Sequence, residues 1–211
     1  MARYHEANCK LCRREATKLF LKGYRCYTEK CSLERKAYPP GVHGRVAGRR
    51  RKTSDYSIQL REKQKVKRLY GVLEAQFKNY FKKASRMSGK TGEQLLVSLE
   101  CRLDNVVYRM GFCPSRKSSR QLVRHRHFLV NDKLVDLPSF SVKAGDEISV
   151  RTRSKELPLI QGSVENRQKE QVLSWLEVDF KGLKGRVLAR PTRAEIPVVA
   201  QEQLIVELYS K

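Results

Sequence analysis

Four cysteines near the start of the chain have the spacing of a metal site. They form two pairs, Cys9-x2-Cys12 and Cys26-x4-Cys31, which 13 residues separate. Each short loop can present two sulfurs to one tetrahedral ion, and the intervening residues allow the pairs to meet. Four thiolates close the coordination shell, so such an ion would stabilise the fold and not catalyse. We expect one structural zinc ion. An iron–sulfur cluster, disulfides and unliganded thiols are the alternatives.

A second candidate site is basic. Ser115 has the residue type and position of an N-cap and predicts a helix that begins near residue 116. At 100° per residue, four bases of this helix share an arc of about 100°, and small or apolar residues occupy the opposite side. The four bases are Arg116, Lys117, Arg120 and Arg124. Convergent positive charge at the start of a helix suits phosphate groups.

The composition indicates a polyanionic partner. The 211 residues include 45 Lys and Arg against 22 Asp and Glu, a net charge of +23, and residues 1–90 hold 25 of the bases and 7 of the acids. This excess favours nucleic acid over other acidic partners. The sequence contains no run of 18 apolar residues, signal-peptide core or lipidation motif. We therefore expect no membrane association and a cytoplasmic location.

Two further basic stretches precede the helix at residue 116. Pro, Gly, Arg and Lys dominate residues 35–53, which excludes a packed helix or a central strand. We interpret this stretch as an arm that becomes ordered on RNA, and a solvated linker is the alternative. The arm contains Arg49, Arg50, Arg51 and Lys52, with Tyr38 and His43 as residues able to stack on a base. The helix predicted after it carries Arg61, Lys63, Lys65, Lys67 and Arg68.

The elements that position these residues predict an α+β protein organised around residues 98–151. An apolar stripe predicts one helix that ends at Gly111: Leu95, Leu96, Leu99, Leu103, Val106, Val107 and Met110. The basic helix follows it. Period-two alternation then predicts a hairpin over 128–135 with a turn at Asn131-Asp132, and a strand over 147–151. Two helices on a short antiparallel sheet would form a small RNA-binding module.

The remaining segments complete three predicted domains. Residues 1–53 form a zinc knuckle and basic arm. Residues 54–97 form a mainly helical domain, joined by 195–211. Its first helix is capped by Ser54 or Thr53 and interrupted at Gly71, and its second ends near Gly89. Residues 98–194 form the α+β RNA-binding domain, whose core module is about 98–155. A strand near 185–188 and a closing helix over 201–209 are expected. No helix or strand is predicted in the polar stretch before Gln171.

Several long motifs follow one another along the whole chain. They include Cys9-Cys12-Cys26-Cys31, Tyr38-Pro39-Pro40-Gly41-x-His43-Gly44, Gln59-Leu60-Arg61-Glu62-Lys63-Gln64-Lys65, Arg102-Leu103-Asp104-Asn105-Val106-Val107-Tyr108-Arg109, Arg120-Gln121-Leu122-Val123-x-His125 and Leu204-Ile205-Val206-Glu207-Leu208-Tyr209-Ser210-Lys211. Together they resemble the bacterial small-subunit ribosomal protein four family, in its zinc-binding four-cysteine type. The resemblance adds His125 to the predicted RNA-binding residues.

The resemblance implies a structural constituent of the small ribosomal subunit, with no enzymatic activity and no small-molecule substrate. It implies a primary rRNA-binding protein that binds a multi-helix junction, nucleates assembly of the subunit body and lies near the path by which mRNA enters. Ribosomal protein five would be a neighbour linked to translational accuracy. Arg126 and Asp132 stand where this family commonly has Gly, so we expect the hairpin to survive with some strain.

Three other functions fit parts of the sequence. The module around residues 116–151 also resembles one appended to RNA-modifying enzymes such as pseudouridine synthases, which need a separate catalytic domain. A DNA-binding regulator built on the cysteine knuckle would need a recognition helix, which the sequence pattern lacks. Translational repression through an mRNA that mimics the rRNA site is compatible with the ribosomal role and stays open.

Overall fold

A computed structural model describes residues 4–46, 54–167 and 172–210 of the chain. The chain divides into two compact units, the first Met1–Gly92 with Val198–Lys211 and the second Glu93–Pro197. The three domains predicted above are a different division and stay predictions. Among the described residues, no helix is long and apolar enough to cross a membrane.

The helices and strands of the described ranges are as follows. The helices are α1 (Asn8–Glu15), α2 (Ser32–Arg35), α3 (Asp55–Leu69), α4 (Glu74–Ala84), α5 (Thr91–Glu100), α6 (Leu103–Arg109), α7 (Arg116–Arg124), α8 (Pro158–Arg167) and α9 (Glu202–Tyr209), with 3₁₀ turns at Gly23–Tyr27 and Thr152–Ser154. The strands are β1 (Phe128–Val130), β2 (Lys133–Leu134), β3 (Glu147–Val150), β4 (Leu176–Asp179) and β5 (Lys184–Val187).

The first unit is helical, and its two predicted helix boundaries around α3 are confirmed. The Ser54 hydroxyl accepts a hydrogen bond from the Ser57 N–H at 3.3 Å and caps α3. Gly71 ends the same helix at φ +63°, a left-handed conformation that favours glycine. The α9 helix packs along α3, where the Gln59 amide donates to the Glu207 carboxylate at 3.0 Å. The closing helix predicted from the sequence is therefore present.

The single helix predicted to run up to Gly111 is wrong, because the chain forms α5 and α6 with a break between them. Arg102 is extended and pairs with Ser141 in an isolated antiparallel bridge. The Leu103 N–H donates to the Phe140 carbonyl at 2.9 Å, and the Val142 N–H donates to the Cys101 carbonyl at 2.9 Å. These bonds replace helical ones. The stripe looked continuous because both helices bury their apolar residues, and helical spacing alone does not reveal a break.

The second unit contains the predicted antiparallel sheet. In the described part of the chain the strand order is β2-β1-β3-β5-β4, and all neighbours are antiparallel. The hairpin of β1 and β2 turns at Asn131 and Asp132, with φ of +49° and +60°. Both central residues of the turn are therefore left-handed, as a two-residue hairpin prefers. Asp132, which stands where the resembled family commonly has Gly, therefore adopts a conformation that favours glycine, as expected from the resemblance.

One helix and one close contact of the second unit were not predicted from the sequence. The predicted polar stretch contains α8, which buries Ile160 and Val164 in the core of this unit. Its third buried position is Ser163, whose hydroxyl donates to the Gly111 carbonyl at 2.8 Å. Because a polar serine occupies a buried position, the apolar residues of α8 do not form the helical pattern that would have predicted this helix. The predicted strand near 185–188 is β5, where a Cβ on Gly185 would lie 2.7 Å from the Met110 sulfur.

Candidate nucleic-acid interface

The α7 helix forms as predicted and presents two exposed bases. The Ser115 hydroxyl accepts a hydrogen bond from the Ser118 N–H at 3.2 Å and caps the helix. Ser119 and Val123 are fully buried and fix the inner face of α7. Lys117 and Arg124 are exposed on the other side. We use the name α7 basic surface for Arg116, Lys117, Arg120, Arg124 and His125.

Arg116 and Arg120 are not exposed like the other two bases, because both contact α6. The Arg116 Nε–H donates to Asn105 Oδ1 at 2.7 Å, and its guanidinium lies 4.6 Å from the centre of the Tyr108 ring. The Arg120 guanidinium is 3.5 Å from the Asp104 carboxylate, and its side chain is 11% exposed. The four bases predicted on one arc of this helix therefore have different surroundings. Two are solvated and two are anchored at the α6–α7 contact.

Two buried ion pairs underlie these anchors. Arg102 is almost fully buried and donates to both oxygens of Asp104, at 3.0 and 2.7 Å. Arg109 donates to both oxygens of Glu100, at 3.0 and 2.6 Å. Sequence reasoning did not single out these residues. At 100° per residue they fall outside the apolar stripe of the predicted helix, so helical spacing gave no signal for their burial.

The basic surface continues beyond the end of α7. His125 is exposed, and its ring centre lies 6.4 Å from that of His127. The His127 Nδ1 is 2.8 Å from the Ser154 hydroxyl. Burial lowers the pKa of His127, and the neighbouring His125 and Arg151 lower it further. With a pKa below the ordinary 6.5 of histidine, the His127 ring is mainly neutral at pH 7 and adds little positive charge to this surface.

The five predicted RNA-binding bases of α3 all form ion pairs inside the first unit. Arg61 and Arg68 both contact the buried Glu15 of α1. The other pairs join Lys63 and Lys67 to Glu74, at 2.7 and 2.8 Å, and Lys65 to Glu62 at 2.7 Å. These bases have structural partners, which the sequence reasoning did not assign. Their role in RNA binding stays a prediction.

The pKa values of the two acids that receive most of these bases are shifted in opposite directions. Burial raises the pKa of Glu15, and Arg61 and Arg68 oppose that rise. Burial also acts to raise the pKa of Glu74, but hydrogen bonds from Lys63, Lys67 and Tyr209 outweigh it and lower the pKa to about 2. Glu74 is therefore a charged anchor for α3 at neutral pH.

The predicted stacking residues of the arm have different surroundings. The Tyr38 ring lies close to two guanidinium groups, with Arg13 Cζ at 4.7 Å and Arg45 Cζ at 5.4 Å from its centre. Arg13 also donates to the Tyr38 carbonyl at 2.9 Å. A hydrogen bond from Arg45 lowers the pKa of Tyr38. His43 is exposed. The four consecutive bases at 49–52 lie outside the described residues.

The four N-terminal cysteines line one pocket. Cys12, Cys26 and Cys31 are buried, Cys9 is partly buried, and all are free thiols. Burial raises the pKa of the Cys12 and Cys26 thiols, and the neighbouring cysteines raise it further. In residues 4–46, 54–167 and 172–210, no group of three or more His, Cys, Asp or Glu is arranged to hold a metal ion. The donor type suits zinc, whereas the described arrangement is not a coordination shell.

A helical unit and a small α+β unit with a capped basic helix define a nucleic-acid-binding protein. Residues 3–100 match the family described as ribosomal protein S4/S9 N-terminal domain, and residues 101–148 match the S4 domain. The chain is 56% identical to small ribosomal subunit protein uS4 of Thermodesulfovibrio yellowstonii, and 55% identical to the proteins of that name from Citrifermentans bemidjiense and Natranaerobius thermophilus. Each alignment spans all 211 residues and the whole of both chains. The chain therefore belongs to the uS4 family, which confirms the resemblance at family level.

Proposed function

We propose that this protein is a structural, non-enzymatic constituent of the small ribosomal subunit in the cytoplasm, and that it binds rRNA through the α7 basic surface. Full-length similarity to proteins named small ribosomal subunit protein uS4 supports the ribosomal role. The observation that carries the choice of surface is the capped α7 helix with Lys117 and Arg124 exposed beside two anchored arginines. Lys117 lies in the first turn of α7, beside N-terminal amides that suit phosphate groups, and Arg124 extends the exposed positive charge to the end of the helix.

The finer role follows the family resemblance. We propose that the rRNA site is a multi-helix junction, and that binding there nucleates assembly of the subunit body. We also propose ribosomal protein five as a neighbour with a shared effect on accuracy, and mRNA as a ligand near its path into the subunit. Reconstitution of small subunits with and without this protein, followed by chemical probing of the rRNA, tests the first two points.

The α7 surface is tested by comparing two double variants of exposed bases. Lys117→Ala/Arg124→Ala should weaken binding to a small-subunit rRNA transcript by about 2–4 kcal/mol. Each charge-assisted contact contributes roughly 1–2 kcal/mol to the free energy of binding. The slope of log affinity against log salt should become shallower by about one to two units, because fewer counterions are released. Lys82→Ala/Lys83→Ala, exposed near the end of α4, is the matched control. Both double variants should keep the melting temperature of the wild type.

Equal losses from the two double variants would mean that positive charge acts diffusely, and the choice of α7 would be wrong.

A complementary experiment asks whether the protein in a cell lysate sediments with the small subunit in high salt. Loss of the protein from the subunit at low salt would contradict the ribosomal role itself.

We further propose that Cys9, Cys12, Cys26 and Cys31 bind one structural zinc ion. Their shared pocket supports this, together with the two-pair spacing of the four cysteines. The Lys22 N–H donates to the Cys26 sulfur at 3.4 Å, an interaction that favours a thiolate. Zinc binding would draw the four sulfurs into a tetrahedral shell and displace their protons.

Metal analysis of the purified protein tests the zinc proposal. The wild type should contain about one equivalent of zinc, and Cys9→Ser should lose it. Cys101→Ser is the matched control, because Cys101 is a buried thiol in the second unit, and it should retain the metal. Excess iron with visible absorbance would support an iron–sulfur cluster in place of zinc.

A further inference from the structure

Asn105 joins a buried ion pair to the α7 basic surface. Its amide NH₂ donates to the Glu100 carbonyl at 2.9 Å and to the Glu100 carboxylate at 2.5 Å. Glu100 is fully buried, and Arg109 binds both of its oxygens. The side chain of Asn105 is therefore fixed from its donor side by a charged pair that is almost fully buried.

The acceptor side of the same amide binds Arg116. The Arg116 Nε–H donates to Asn105 Oδ1 at 2.7 Å, while the Tyr108 ring lies against the guanidinium at 4.6 Å from ring centre to Cζ. The hydrogen bond fixes one edge of the guanidinium, and the ring fixes its plane. Only a side chain with a donor and an acceptor on one rigid plane can connect a carboxylate to an arginine in this way.

We propose that Asn105 is a positioning residue for RNA binding, which sets the orientation of Arg116 before RNA arrives. The proposal rests on the proposed function of the α7 basic surface. An arginine has many rotamers, and ordering one rotamer-rich side chain on binding weakens association by roughly three- to tenfold. Asn105 and Tyr108 remove that loss because the folded protein already holds the guanidinium in one plane.

A double-mutant cycle in the full-length protein tests this role. Asn105→Ala should weaken binding to a small-subunit rRNA transcript by about three- to tenfold, yet leave the salt slope unchanged, since every base is retained. In an Arg116→Ala background the same substitution should weaken binding by less than about twofold. Asn166→Ala, at an exposed position of α8, is the matched control and should change neither quantity. Equal losses in both backgrounds would overturn the proposal and assign Asn105 a purely structural role.

Arg116→Lys provides a second test that does not disturb the buried pair. Lysine retains the positive charge but has no planar guanidinium and no Nε–H at that position. We expect the affinity to fall by about three- to tenfold, with the wild-type salt slope. Wild-type affinity of Arg116→Lys would overturn the proposal, even if Asn105→Ala failed to fold. Failure of the proposed function is distinguishable, because Lys117→Ala/Arg124→Ala would then bind the transcript like the wild type.

Discussion

Arg126 occupies the position at which α7 ends in a left-handed residue. Its N–H donates to the Val123 carbonyl at 3.0 Å, and the His127 N–H donates to the Leu122 carbonyl at 3.2 Å. This is the Schellman pattern, in which glycine is usual at the left-handed position. Arg126 has φ +64° and forms an exposed ion pair with Asp136. Gly71 ends α3 with the same bonding pattern and the usual residue.

Replacement of Arg126 isolates the strain of that position. Arg126→Gly and Arg126→Ala both lose the exposed ion pair, which contributes about 0–1 kcal/mol. Alanine keeps a Cβ in the left-handed conformation, which is unfavourable by roughly 1–2 kcal/mol, while glycine adds about 0.4–1 kcal/mol of unfolded-chain entropy. We therefore expect Arg126→Gly to have the higher free energy of unfolding, by about 1 kcal/mol, in urea titrations. A lower value for Arg126→Gly than for Arg126→Ala would contradict this account.

At the scale of single residues, types and local positions were predictable but partners were not. Ser115 was predicted as a cap, and Ser54 as one of two candidates with Thr53, because capping depends on neighbours three residues away. The partners of Arg116 and Arg120 lie on α6, which the sequence merged with α5. Long-range ion pairs such as Glu15 with Arg61 depend on how helices pack, and no periodicity encodes them. The α7 helix was therefore predicted correctly, while its role as the RNA-binding site stays a prediction and its internal bonds had no signal in the sequence.

At the scale of elements, α3 is held in place by ion pairs with acidic side chains as well as by burial of apolar residues. Lys63 is only 9% exposed, and its ammonium contacts Glu74 at the start of α4. Tyr209 of α9 donates to the same carboxylate at 3.0 Å. Burial raises the pKa of Tyr209, and its bond to Glu74 raises the pKa further, so Tyr209 remains a donor at neutral pH. One carboxylate thus links three helices of the first unit.

Glu74→Gln should lower the free energy of unfolding by about 1–2 kcal/mol at pH 7, because it leaves two lysines and a tyrosine without their anion. The native pKa of Glu74 is about 2, below its ordinary value of 4.5. Because the pKa of Glu74 is lower in the folded than in the unfolded protein, its ionisation stabilises the fold fully at pH values above the unfolded pKa. This stabilisation is lost as the pH falls through the native pKa. The difference between wild type and variant should therefore shrink from pH 4.5 towards pH 2, measured by urea unfolding.

The matched control for this titration is Glu177→Gln, at an exposed position of β4. Surface substitutions of this kind change the free energy of unfolding by less than about 0.5 kcal/mol. A constant difference between wild type and Glu74→Gln across pH 7 to 2.5 would show that the Glu74 charge does not anchor α3.

At the scale of the whole molecule, net charge indicated the partner but not the surface. Residues 1–90 hold 25 bases and 7 acids, yet the five bases of α3 that looked like an RNA-binding stripe all pair with acids. The second unit carries less excess charge but places Lys117 and Arg124 in solvent. Composition sums charges without regard to pairing, so it predicted a nucleic-acid partner correctly but could not show that the bases of α3 are paired with acids.

Removal of the proposed zinc should loosen one part of the first unit and leave the second unit intact. The segment around the cysteines has a small core of Leu11, Cys12 and Leu19, with α1 and α2 too short to be stable alone. Structural zinc contributes roughly 10–16 kcal/mol in such segments. Chelation should therefore accelerate amide hydrogen exchange in α1 and α2, and in α3 near Arg61 and Arg68, which lose Glu15 when α1 opens. The strands β1 to β5 have their own core and should keep their protection. Unchanged exchange in α1 and α2 would contradict the zinc proposal, and faster exchange in the strands would contradict the independence of the second unit.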